Sequence, residues 1–135
     1  MNQLAPDAVA DLRKLPIPHL LEYWQGIEDA EERRSGRLDQ AIRMLCQADL
    51  YYLLVKGCRR RDMLNDFAFE RVREVEANPN GRLDLWAREH FKSSIITFGL
   101  TIQDILNDPE TTFGIFSHTR PIAKAFLRQI MRELE

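Results

Sequence analysis

A chain of 135 residues with 44% hydrophobic and 30% charged side chains is long enough to bury one core, and its composition excludes a wholly disordered tail. Nineteen Lys and Arg against 21 Asp and Glu leave a net charge of -2, which excludes bulk attraction to nucleic acid or an anionic membrane and confines any such contact to a local patch. Cys46 and Cys58 have no ligand-spaced partners and read as reduced thiols; with no signal-like segment and no membrane-length apolar run, the expected compartment is the cytoplasm.

In chain order, Asp7 to Leu15 predicts a short helix interrupted by Pro16 and Pro18. Leu20, Leu21, Tyr23 and Trp24 form an apolar cluster beside a structural His19, and Glu28 to Arg34 reads as a solvated turn or helix end. From Arg37, the spacing of Leu38, Ile42, Leu45, Ala48 and Tyr52 predicts one amphipathic helix ending near Gly57. Leu50 to Val55 is apolar all round, so its far end is expected to be buried. Lys56, Arg59, Arg60 and Arg61 then read as a solvated helix end whose cations suit the negative end of the dipole. Asp62 predicts an N-cap for a helix with Leu64, Ala68, Val72 and Val75 along its inward stripe.

The turn signal Asn78-Pro79-Asn80-Gly81 divides the chain into a helical region, 1–78, and a second region, 79–135. Downstream, Leu83 to Trp86 reads as a strand, Lys92 to Leu106 as a helix and Thr111 to Phe116 as a second strand. Pro121 suits the first turn of a last helix carrying Ile122, Phe126, Ile130 and Leu134, which Ser117 or Thr119 is placed to cap. The expected fold class is therefore α/β: a helical N-terminal half followed by an incomplete P-loop NTPase unit, strand-loop-helix-strand-helix. Trp24 and Trp86 are expected in the core, Trp86 beneath the loop.

The loop itself, Ala87-Arg88-Glu89-His90-Phe91-Lys92-Ser93-Ser94, carries the chemistry. In a phosphate-binding loop, backbone N–H groups at a helix N-terminus face the phosphates, a Lys reaches the β/γ oxygens and a Ser or Thr hydroxyl holds Mg²⁺. Lys92 and Ser93 have the types and the order for those roles. Phe91 stands where the pattern G-x-x-x-x-G-K-[ST] has its second glycine, a position that favours positive φ or close approach of backbone to phosphate. His90 and His118 each follow an expected strand, without a Cys or carboxylate at ligand spacing.

Arg82-Leu83-Asp84-Leu85-Trp86-Ala87-Arg88-Glu89-His90-Phe91-Lys92-Ser93-Ser94-Ile95-Ile96-Thr97-Phe98, with Phe113-Gly114-Ile115-Phe116-Ser117-His118-Thr119-Arg120, resembles the ATPase domain of the large terminase subunit of tailed bacteriophages and prophages. The resemblance runs from about Leu50 to Glu135. It implies the ATP-binding part of a motor that packages viral genomes into capsids, with ATP and Mg²⁺ as cofactors. Lys92 would contact the β/γ-phosphates, Ser93 would coordinate Mg²⁺, and Arg88 would act as the catalytic loop arginine beside the γ-phosphate. Ser94 would support the helix start. Double-stranded viral DNA, a portal protein and a small terminase subunit are the implied partners, in the cytoplasm of a bacterial host cell. The resemblance further implies truncation before the Walker B acids and the nuclease domain, hence inefficient hydrolysis and exposed strand edges prone to self-association. The alternative expectation is a non-enzymatic interaction or oligomerisation module that binds no nucleotide.

Overall fold

Proline without an N–H is tolerated in the first turn of a helix, where that donor has no partner, and Pro16 and Pro18 accordingly open the first helix. The computed structural model describes residues 14–78, 81 and 83–135, so the short helix expected over Asp7 to Leu15 lies outside the described residues except for Lys14 and Leu15. Helix α1 spans Ile17–Ser35 and ends at Gly36, whose φ of 64° lets its N–H return to Glu32 O. The charged run from Glu28 to Arg34, expected to be a turn or helix end, is the last two turns of this helix. There Arg34 and Glu31 pair at 3.0 Å.

The amphipathic helix expected from Arg37 to Gly57 is two helices. Helix α2, Leu38–Ala48, stops at Asp49, whose backbone is extended at φ -133°. The Asp49 carboxylate accepts from the N–H groups of Tyr51 and Tyr52 at 2.8 and 3.1 Å, so it caps a new helix, α3. That helix begins with Leu50–Tyr52 and continues through a widened π turn, Leu53–Gly57. Leu50 through Val55 are all buried, as the unbroken apolar run predicts.

A 3₁₀ turn, Arg61–Met63, leads into α4, Asp66–Ala77. Its cap is Asn65, which accepts from Ala68 N–H at 2.9 Å, and not Asp62. Ala68, Val72 and Val75 face inward as expected, whereas Leu64 precedes the helix and is exposed. Helix α5 comprises a π-wound stretch, Ser93–Leu100, and an α-helical stretch, Thr101–Asn107. Helix α6, Arg120–Leu134, has Pro121 in its first turn; Thr119 occupies the N-cap position without a side-chain cap bond.

One core joins both regions. Trp24 of α1 packs its ring 5.0 Å from Tyr52, edge to face, and Ile95, Phe98 and Ile102 of α5 and Ile130 of α6 enter the same cluster. At the crossing of α3 and α5, a Cβ on Gly99 would lie 2.7 Å from Leu54 Cδ2, so the absence of a side chain there is what lets the two helices approach. The α2–α5 contact is polar at one end: buried Gln103 donates to Cys46 O and Gln47 O, and Gln47 Nε2 donates to Leu106 O at 2.6 Å.

The α/β expectation is overturned. Among the described residues there is no strand and no sheet, so there is no strand-loop-helix P-loop unit. Residues 83–87 and 111–117 have no regular secondary structure. Leu83 and Leu85 are each 83% exposed and Phe116 is 95% exposed. Their alternating pattern is real, but a strand exists only where another extended segment supplies hydrogen bonds, and a lone parallel pair with uncovered faces is not stable in water. The buried surface has been taken by helix-on-helix packing instead. No helix among the described residues is long and apolar enough to cross a membrane.

Candidate functional site

The stretch from Trp86 to Ser94 folds back on itself at the start of α5. Arg88 and Glu89 form a turn, and two residues in it adopt the left-handed region, Glu89 at φ 65° and Phe91 at φ 60°. Such backbone costs a non-glycine residue on the order of 1–2 kcal/mol, so surrounding contacts must hold it. His90 Nδ1 lies 2.7 Å from Arg88 O; a carbonyl only accepts, so Nδ1 carries the proton and donates. The His90 ring also meets the Phe67 ring of α4 edge-on at 5.3 Å. Phe91 and Trp86 are half-buried against the common core, which ties both ends of the turn down.

The turn encloses an open hollow of about 320 Å³ lined by residues 86–94, all eight loop positions expected from the sequence together with Trp86. Lys92 has helical backbone, φ -50° and ψ -54°, and Ser93 begins α5, so both stand where the unpaired N–H groups of the helix start. Arg88, Lys92 and Ser93 are exposed. Among the described residues neither Arg88 nor Lys92 is in an ion pair, leaving two unneutralised cations on one turn with the single anion Glu89.

The helix expected from Lys92 begins at Ser93, but residues 83–87 ahead of the loop are not the expected strand; the expected role of Ser94, one of the expected nucleotide-binding positions, is to support that helix start. Ser94 Oγ also accepts from Arg60 Nη1 at 3.1 Å, a bond across 34 residues. Nothing in the spacing of the basic cluster distinguishes Arg60 from Arg59 or Arg61. The cluster is not simply a solvated end: Lys56 lies 3.6 Å from Glu28, and Arg60 is paired with Asp62. His118 is exposed ahead of α6, and His19 is exposed on α1. Among the described residues no group of three or more His, Cys, Asp or Glu side chains is arranged to hold a metal ion.

Comparison with family models, with curated proteins and with solved structures finds no match to this chain.

The fit of Mg²⁺ rests on the donor set. A hard cation of this kind takes few protein oxygens and completes its shell with water and phosphate, so the exposed Ser93 hydroxyl at the helix start is a chemically suitable ligand and needs no carboxylate cluster. With a nucleotide bound, the ion would supply charge neutralisation at the phosphates.

Proposed function

We propose that this chain is a nucleotide-binding segment similar to the ATP-binding part of a phage DNA-packaging motor, the large terminase subunit. The observation that carries the reading is the left-handed backbone at Glu89 and Phe91, immediately before Lys92 and Ser93 at the start of α5. Position 91 is where the phosphate-loop pattern has a glycine, which adopts positive φ freely, and here a Phe adopts it despite the strain. The reading rests on this loop and its charges and not on a sheet.

In it, Lys92 binds the β/γ oxygens, Arg88 lies beside the terminal phosphate, and Ser93 is the protein oxygen for Mg²⁺. The backbone from Ala87 to Phe91 curls about the phosphates. Viral DNA, a portal protein and a small terminase subunit are the partners on this reading, and the bacterial cytoplasm its compartment.

Calorimetric titration with ADP and a non-hydrolysable ATP analogue, with and without Mg²⁺ and beside Lys92→Ala, tests it. Saturable binding lost in the variant is the expected result. Identical heats from the two proteins, or no binding by either, would falsify the nucleotide reading.

A second reading is favoured by a separate observation, the exposure of Leu83, Leu85 and Phe116 on segments without regular secondary structure. Unpaired strand-like segments with apolar side chains are suited to pairing with another chain. On that reading the chain is an interaction or self-association module. Light scattering across a concentration series discriminates the two, because a Leu83→Lys, Phe116→Lys double variant then abolishes association without altering any nucleotide heat.

A further inference from the structure

Arg60 reaches the loop from the segment that follows α3. Its Nε and Nη2 donate to the two Asp62 oxygens at 2.9 and 2.7 Å, and its Nη1 donates to Ser94 Oγ at 3.1 Å. A guanidinium is a rigid planar fork, so the two bonds to Asp62 fix the direction in which Nη1 points. Asp62 is in turn held below the usual carboxylate range by the hydrogen bond from Arg60. The backbone enforces the same placement: Arg59 is left-handed at φ 56°, and Arg60 N–H is bound to Leu54 O at 3.0 Å. Among the described residues the non-glycine positive-φ positions are Arg59, Glu89 and Phe91, two in the loop and one beside the arginine that touches it.

The Ser94 hydroxyl has one hydrogen to give. Arg60 offers only donors, so Ser94 is an acceptor toward it and its own hydrogen points elsewhere. Among the described residues no acceptor takes that hydrogen, and Ser94 lines the hollow. A cation on the oxygen polarises the O–H and makes it a stronger donor.

We infer that Arg60 is a positioning residue for phosphate: fixed by Asp62, it orients and polarises Ser94 so that the serine hydroxyl donates to a phosphate oxygen of a nucleoside di- or triphosphate in the loop. This rests on the nucleotide reading above. The arginine acts through Ser94, and its effect on binding disappears when the serine hydroxyl is absent.

A double-mutant cycle in ADP binding tests this, with calorimetric affinities for the unsubstituted chain, Arg60→Ala, Ser94→Ala, the double variant and Arg60→Lys. Each single alanine variant weakens binding about tenfold, the scale of one charge-assisted hydrogen bond, and the double variant is no weaker than either single one. Arg60→Lys, a point charge without the fork, recovers only part of the loss. Binding unchanged in Arg60→Ala, or additive losses in the double variant, overturns the inference while the nucleotide reading stands. If Arg60→Ala does not fold, unchanged binding by Ser94→Ala overturns it alone, and weakened binding supports it. Absence of saturable binding by the unsubstituted chain overturns both.

Discussion

Arg73 Nη1 lies 2.9 Å from Asp49 Oδ1 and thereby ties α4 to the break between α2 and α3. The same guanidinium nitrogen binds Glu76 at 2.7 Å, Glu76 accepts from Leu50 N–H at 2.8 Å, and the Phe69 ring stacks 4.9 Å from the guanidinium carbon. Both carboxylates thus do two jobs: each meets Arg73 and each satisfies an N–H at the start of α3.

Removing the arginine leaves two largely buried carboxylates without their cation. Arg73→Ala is expected to destabilise the fold by about 3–5 kcal/mol, the range for breaking a buried ion pair. Asp49→Asn keeps an oxygen to accept from Tyr51 and Tyr52 and loses the charge, so its cost is smaller, about 1–3 kcal/mol. Urea denaturation midpoints of the two variants check the order; equal losses would show that the charge, and not the cap, is what matters at Asp49.

Glu89 is exposed and left-handed, so it has backbone strain with little packing in return. Glu89→Gly removes roughly 1–2 kcal/mol of strain and adds roughly 0.5–1 kcal/mol of unfolded-chain entropy, for a net gain of up to about 1.5 kcal/mol. The thermal midpoint is expected to rise by a few degrees. A fall would mean that the carboxylate makes a stabilising contribution that its exposure conceals.

Burial pushes the Cys46 thiol up to about 11 and the Cys58 thiol up to about 12, against an ordinary 9.0. Burial likewise raises the Tyr51 hydroxyl to about 12, and burial together with the bond to Glu28 raises Tyr52, against an ordinary 10.0. All four are neutral when protonated, and above their ordinary values the unfolded chain sheds these protons while the native one keeps them. The native state binds more protons there, so stability falls as pH rises above roughly 9, and these groups have no such effect below about 8. Urea midpoints at about pH 8 and about pH 10 should differ, the alkaline one being lower; a flat profile would show that these groups titrate normally in the native state.

Much of the helical framework was legible because helix periodicity is a local property. Ala68, Val72 and Val75 declare an inward stripe, and Leu50 to Val55 declare a buried end, whatever they pack against. The break at Asp49 was less legible, since an Asp in an apolar-periodic run becomes a cap only when its carboxylate turns back to the N–H groups ahead of it. Strand pairing was not legible at all. Leu83 to Trp86 and Thr111 to Phe116 alternate as strands do, but a ladder depends on a partner that no local pattern contains. At the candidate site the helix start at Ser93 was legible, while the Arg60 contact, closed across 34 residues, has no local signature.

The π-wound stretch Ser93–Leu100 has a consequence for length variation in this chain. Hydrogen bonds that span five residues accommodate more chain per turn than those that span four, so the stretch absorbs surplus residues without forming a bulging loop. Deleting one residue there would let the stretch wind as an ordinary α-helix, and the larger angle per residue would offset the lost residue, so Lys92 and Ser93 would keep nearly the same bearing relative to Ile102. A deletion within the α-helical Thr101–Asn107 has no such reserve and would turn everything N-terminal to it by about 100°. The aim of the loop is therefore buffered against the loss of a residue in one half of α5 and exposed to it in the other.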